Sequence, residues 1–417
     1  MPDSTKRVVV TGIGVVSPNG VGVKAFTDAL REGKSGIRAI QQMSTDGLRS
    51  SAAGQIPDLD FTGVMSAADL RRVPRMVPLA LIASREALAS AELSIDESDI
   101  ERQRQIGVIL GTGGGGLAMI EEQARHYLTK GSVSPFAITA GTHGNLSSEL
   151  SIALNLRGPS HVISTGCTSS TDAIGYASML IRHGTIPMML VGGADAPISF
   201  GILRAFETMR VISTRRWEDP STSCRPFSAD RDGFILGEGA WMFVLEDADH
   251  AARRGVRPLA EIAGYGSTCD AYHRVQIAPD VAEPIRAMEM ALADAGASKD
   301  QIGYVNLHGT GTELNDRMET LAMHRFLGAR APLVPMSATK SMIGHPQGAS
   351  GAAGLAATIL GMRENFIHPT INLDRPDPDC DLDYVPITAR AAEVDLALCN
   401  CIAFGSKNSA LIVRRTG

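Results

Sequence analysis

A cysteine and two histidines stand in settings that suit acyl chemistry. In SHVISTGCTSSTDAIGYASMLIRHG the short β-branched run SHVIST ends just before Cys167. Ala173, Ile174, Ala177, Leu180 and Ile181 then recur at helical spacing until Gly184. Thr168, Ser169 and Ser170 are N-terminal capping types. Cys167 is thus predicted at a strand-to-helix elbow, where a helix N-terminus offers partial positive charge and unpaired N–H groups. Such a site is expected to lower the thiol pKa and to present a backbone N–H to an oxyanion. A buried structural thiol is the ordinary fate of a free cysteine. The elbow separates Cys167 from Cys224, Cys269, Cys380, Cys399 and Cys401, which read as core or surface fillers.

His308 lies in VNLHGTGTELNDRMETLAMHRFLG and His345 in SATKSMIGHPQGASGAAG, each past a short apolar strand, in a Gly-rich turn before a helix. α/β folds put their chemistry at such strand ends. Of the other histidines only His273, in CDAYHR, has a comparable setting. A thiolate can take an acyl group from a thioester. A second thioester that loses CO₂ becomes an enolate, whose charge two neutral imidazole Nε2–H groups can hold. A nearby cation such as Lys340 depresses the histidine pKa values and keeps the rings neutral. One cysteine with two histidines suits decarboxylative condensation better than hydrolysis, for which a cysteine protease wants one histidine and an acid or carboxamide to orient it.

The elements that must hold these residues alternate. RVVVTGIGVVSP opens the chain as an apolar strand with a Gly-rich turn, and AEIAGYGST, from Ala260, repeats the opening. After each come strand-like and helix-like segments in turn, which implies α/β layers. The chain of 417 residues, 44% hydrophobic and 20% charged, can bury a large core. A net charge of −6 leaves no footprint for nucleic acid. No export signal or membrane span is read at the N-terminus. Six scattered cysteines without a CxxC pair fit a reduced, cytoplasmic protein. Cys399 and Cys401 are placed on opposite faces of a strand and make a poor metal pair. No metal and no cofactor is expected.

GPSHVISTGCTSS, VNLHGTGT followed by ND, TKSMIGHPQGASG, CRPFSADRDGFILGEGA and DAYH resemble the β-ketoacyl-ACP synthases, in the KAS II and polyketide ketosynthase branch of the thiolase superfamily. The resemblance spans nearly the whole chain. It implies a thiolase-like five-layered αβαβα fold of two similar halves, residues 1–255 with the cysteine and 256–417 with the histidines, acting as a dimer. It implies that Cys167 is acylated, that His308 and His345 hold the malonyl carbonyl, and that Lys340 and Glu319 lie beside them as an ion pair. Phe404 then corresponds to the gating phenylalanine, whose N–H completes the oxyanion hole. Thr310 and Thr312 hold the pantetheine arm, and Phe206 and His273 join the substrate-binding set. Arg71, Arg72, Arg75 and Arg210 match regions that meet the acyl carrier protein. The substrates ride on that protein's phosphopantetheine arm.

The chain departs from the fatty-acid pattern in places. Where those enzymes read roughly NSFGFGGTN, this chain has Ala403 and Ser406 for glycines and Lys407 for threonine between Asn400 and Asn408, which stiffens the loop. Gly354 stands in place of a glutamate. Gly114, Ala137 and Thr142 replace bulkier pocket residues, Ala137 and Thr142 in the stretch that lines a partner subunit's pocket, so a longer acyl chain is expected to fit. The lead function is a type II polyketide or polyene ketosynthase, as a homodimer or paired with a chain-length factor. A housekeeping fatty-acid synthase II is the alternative. An inactive chain-length factor is disfavoured by Cys167. A thiolase would use Cys401 as a second cysteine, against the two histidine contexts.

Overall fold

The computed structural model of the protein describes residues 6–416. The first five residues, part of the segment read as free of an export signal, lie outside the described residues. One 11-stranded mixed sheet contains β1 (Val8–Ser17), β2 (Ile106–Gly111), β3 (Ser160–Ile163), β4 (Met188–Asp195) and β5 (Gly239–Asp247) from the first half. From the second come β6 (Ala260–Cys269), β7 (Tyr304–Asn306), β8 (Met336–Ser337), β9 (Leu396–Ala403) and β10 (Lys407–Arg414). A short strand, Gly20–Val21, pairs with the end of β1. The order is β8-β7-β9-β10-β6-β1-β5-β4-β2-β3.

The same arrangement occurs twice. β1, β5 and β4 pair antiparallel in turn, and β4, β2 and β3 pair parallel. β6, β10 and β9 repeat the antiparallel steps, and β9, β7 and β8 the parallel ones. The halves join where Val9 faces Glu261 and Val10 faces Ala260.

The helices that matter here are α1 (Met76–Ser90), α2 (Leu146–Leu154), α3 (Ser169–Arg182), α4 (Phe200–Met209), α5 (Ala282–Asp294), α6 (Glu313–Leu327) and α7 (Ser350–Glu364). α1 and α2 cover the outer face of the first half, and α5 and α6 that of the second. α3 and α7 pack together between the two half-sheets, completing five layers. Their sequences explain the central position. SGAAGLAATILGM in α7 is buried throughout, and α3 is buried at Ala173, Gly175, Ala177 and Ser178. A helix that is apolar and small on all sides has no solvent face to offer.

The repeated Gly-x-Gly corrects the sequence reading. It is strand interior, not a turn. A Cβ at Gly12 or Gly14 would lie 2.0 and 1.8 Å from the carbonyl oxygens of Ala87 and Ala83 in α1. At Gly264 and Gly266 it would lie 2.0 and 2.1 Å from those of Ala291 and Ala287 in α5. Each half therefore needs glycine where its outer helix presses on its first strand. Among the described residues no helix is long and apolar enough to cross a membrane.

Candidate active site

Cys167 sits in a single 3₁₀ turn, Gly166–Thr168, between β3 and α3. Gly166 takes φ +73°, the left-handed conformation that lets the chain reverse sharply here. The hydroxyl of Ser169 accepts the Thr165 N–H at 2.9 Å and donates to the Gly166 carbonyl at 2.5 Å. Thr168 donates back to Thr165 O at 3.0 Å. The hydroxyls thus close the elbow behind the helix start and do not cap its forward N–H groups. The Phe404 N–H faces the Cys167 sulfur. The expected low thiol pKa is not found. Burial pushes the Cys167 thiol up to about 11, outweighing the Lys340 charge and the Phe404 N–H. Desolvation of an anion exceeds what one helix end returns.

His308 follows β7. Lys340 Nζ donates to the His308 carbonyl at 2.6 Å and lies 3.3 Å from its Nδ1. An ammonium can only donate, so Nδ1 is the acceptor and the ring proton is on Nε2. His345, in the turn before α7, has Nδ1 3.2 Å from the Gln347 N–H and 2.9 Å from Ser350 Oγ. The backbone donor fixes the same tautomer. The rings meet edge to face with centroids 5.5 Å apart. Burial first, then the Lys340 charge, holds both imidazoles well below their ordinary pKa, so both stay neutral.

One donor atom from each of Cys167, His308 and His345 lies within 4.8 Å of the others. That spacing could also hold an ion, but with Nδ1 of both rings engaged, the free positions are Nε2–H donors and not ligands. The three residues line a cavity of about 480 Å³ with Arg210, Phe234, Thr310, Thr312, Leu314, Ile402 and Phe404. Thr312 caps α6 by accepting the Asn315 N–H, and its hydroxyl lies 3.0 Å from that of Thr310.

Several sequence expectations need correcting. Glu319 and Lys340 are no ion pair. The Glu319 carboxylate accepts the His308 N–H at 2.7 Å, the Gly309 N–H at 2.8 Å and Asn400 Nδ2 at 2.6 Å, so it holds the backbone of the His308 turn while Lys340 serves the ring. Gly114 does not line the cavity of Cys167. Its N–H donates to Asp195 Oδ1 at 3.0 Å, and a Cβ there would come within 3.3 Å of that oxygen. Arg75 forms a two-pronged ion pair with the buried Glu238 and is spent inside the chain. Arg71 and Arg72 are exposed, Arg72 over the Phe136 ring and paired with Asp69. Arg210 is exposed at the cavity.

The remaining sites lie at a distance from the reacting groups. Phe206 on α4 stacks edge-on against Phe234, which in turn meets His345, so Phe206 is one ring removed. His273 is exposed, its Nδ1 accepting the N–H groups of Val275 and Gln276, and it shapes the turn whose Val275 and Ile277 reach the cavity. Ala137 is buried and Thr142 exposed, at the two ends of the short helix Ala137–Gly141.

Sequence reasoning missed two groups. Residues two apart on a strand share a face, so Cys399 and Cys401 point together into the interior and not to opposite faces. Cys401 Sγ lies 3.1 Å from the Cys167 carbonyl oxygen. Asp195 was also passed over. Its buried carboxylate accepts N–H groups from Gly113, Gly114 and Gly348 at 2.8, 3.0 and 2.8 Å, tying the end of β2 to the turn beyond His345. Four glycines in a row beside a strand end were the available signal for such a cradle.

Comparison with known proteins follows the same lines. Residues 5–251 match the Beta-ketoacyl synthase, N-terminal domain, and residues 259–374 the Beta-ketoacyl synthase, C-terminal domain. The 3-oxoacyl-[acyl-carrier-protein] synthase 2 of Synechocystis sp. is 38% identical over 412 residues, covering 98% of each chain. A type II polyketide synthase ketosynthase, solved with its acyl-carrier protein and bound to the hexaketide, superposes with TM-score 0.90 at 32% identity over 99% of this chain and 100% of that one. The ishigamide ketosynthase/chain length factor gives TM-score 0.90 at 34% identity, with the same coverage.

Proposed function

This chain belongs to the β-ketoacyl synthase family, and from that premise we propose that it condenses an acyl group on Cys167 with malonyl-acyl carrier protein, in a type II polyketide or polyene pathway. The observation that carries the reading is the meeting of one buried thiol and two Nε2–H donors at one cavity. In the first half-reaction the Cys167 sulfur attacks the carrier thioester, and the N–H groups of Cys167 and Phe404 hold the oxyanion. The carrier thiol leaves with the proton that Cys167 gives up, so acyl–S–Cys167 and carrier–SH result. In the second, the bond from the malonyl methylene to its carboxylate breaks and CO₂ departs. The electron pair rests as an enolate between His308 and His345, then attacks the acyl carbon. The Cys167 thiolate is expelled and takes one proton from solvent, leaving β-ketoacyl-carrier protein. Burial, and after it the Lys340 charge, keeps both histidines neutral, as donors must be.

The pathway assignment draws on the likeness to the two polyketide-type structures and on Ala403, Ser406 and Gly354. Arg71 and Arg210 are exposed cations placed to meet an acidic carrier, with Arg72, itself paired to Asp69, beside Arg71. A homodimer or a pairing with a chain-length factor suits the open edge of β3 and the exposed Ile138 and Ile152. A cytosolic setting suits six unpaired cysteines. The test is intact mass after mixing with acyl-carrier proteins of several lengths, then with malonyl-carrier protein. A single adduct on Cys167, absent from Cys167→Ala and discharged as β-ketoacyl product, is expected. An adduct of comparable yield on another cysteine would overturn the mechanism.

A further inference from the structure

β9 brings a second sulfur to the nucleophile. Cys401 Sγ is 3.1 Å from the Cys167 carbonyl oxygen and 3.5 Å from His308 Nδ1. It therefore touches both the residue that carries the acyl group and the ring that holds the enolate. Cys401 does not line the open cavity. It lines a small enclosed one behind Lys340, with Asn306, Thr339 and Asn400. Substrate cannot reach it there, so it is not the second acid–base cysteine a thiolase needs. Burial pushes the Cys401 thiol up to about 12, which keeps its S–H in place as a donor. Both of its neighbours are acceptors, so its single proton is shared between them, with the shorter bond to the Cys167 carbonyl. The Cys167 carbonyl has only lone pairs to offer, and His308 Nδ1 is bare because Lys340 also donates toward it. The Lys340 ammonium has protons for both the His308 carbonyl at 2.6 Å and Nδ1 at 3.3 Å, so Nδ1 lies between the ammonium on one side and the Cys401 sulfur on the other.

Resting on the ketosynthase reading, we propose that Cys401 is a positioning residue for condensation, whose S–H seats His308 with Nε2–H toward the malonyl thioester and holds that ring in register with the Cys167 elbow. Cys401 acts through His308 on the second half-reaction. Acyl transfer to Cys167 needs no histidine donor and is spared.

Cys401→Ala removes the donor and one heavy atom, Cys401→Val removes the donor and adds one heavy atom, and Cys401→Ser keeps a donor at nearly the same size. Condensation kcat should fall roughly tenfold in the alanine and valine variants and recover to within about threefold in the serine variant, the range of one net hydrogen bond. KM for malonyl-carrier protein and the rate of self-acylation should hold. In ¹⁵N-histidine-labelled enzyme without substrate, the His308 Nδ1 resonance, assigned by its loss in His308→Gln, should move in the alanine and valine variants and return toward wild type with serine. If Cys401→Ala does not fold, the valine variant carries the comparison. Wild-type kcat in Cys401→Val, equal slowing of acylation and condensation, or an unmoved Nδ1 resonance would overturn the proposal. A wild-type enzyme that makes no β-ketoacyl product overturns the functional reading instead, and the resonance then decides the positioning role alone.

Discussion

Cys167 is a buried thiol whose proton is held more tightly than in water, and that has a direct consequence. Alkylation by iodoacetamide follows the thiolate, so the free enzyme should react slowly near neutrality and climb toward half-maximal rate at about pH 11. Mass spectrometry of the Cys167 peptide across pH reads this directly, and a plateau below about pH 8 contradicts it. The histidines are donors of equal standing. His345→Ala should cost on the order of 10²–10³ in condensation, as loss of one such donor does elsewhere, while self-acylation persists. Lys340 lowers the pKa of both rings. Without that charge, as in Lys340→Met, both pKa values rise. Condensation needs neutral rings and fails as pH falls through the histidine pKa, so the acid limb of its pH profile should move to higher pH. Cys167, His308 and His345 were legible in the sequence because each stands alone in a Gly-rich turn. Glu319 was legible as a neighbour of His308 but not in its partners, and Cys401 was not legible at all, because those contacts lie across the fold: Glu319 bonds Asn400, and Cys401 bonds Cys167, 81 and 234 residues away in sequence.

At the scale of elements, strand–turn–helix rhythm was readable because apolar period and glycine placement are local. The Gly-x-Gly of β1 and β6 was misread as a turn, since only a packed helix reveals why Cβ atoms are excluded there. The loop that carries Phe404 shows a further case. Ser406 sits at φ +65°, a conformation that favours glycine. In return its hydroxyl donates to the His273 carbonyl at 2.8 Å and accepts the His273 N–H at 3.2 Å. Gly405 N–H donates to Arg274 O, and Asp270 N–H to Ser406 O, both at 2.8 Å. These bonds clasp the Phe404 loop onto the 270–274 turn. Ser406→Gly relieves the backbone and removes the hydroxyl, so amides 404–407 should exchange with deuterium faster while the rest of β9 and β10 is unchanged. Unaltered exchange would mean that the backbone bonds hold the loop without the hydroxyl.

The whole molecule is two copies of one frame. Their shared core is the α3–α7 layer, whose small residues face both half-sheets. Fragments 1–255 and 256–417 expressed together should therefore copurify on a tag carried by one of them and acylate at Cys167. Either fragment alone should be insoluble, because it exposes one side of that layer. One contact between the copies reaches the chemistry itself. Asp195, at the end of β4, takes the Gly348 N–H, 153 residues on in sequence, together with those of Gly113 and Gly114. This carboxylate is a keystone, seated only once both flanks stand. Contacts so distant in sequence close late as a chain folds. The enzyme is then the last thing its own folding makes: refolding chains should recover helix content first and regain the power to be acylated only with their slowest phase.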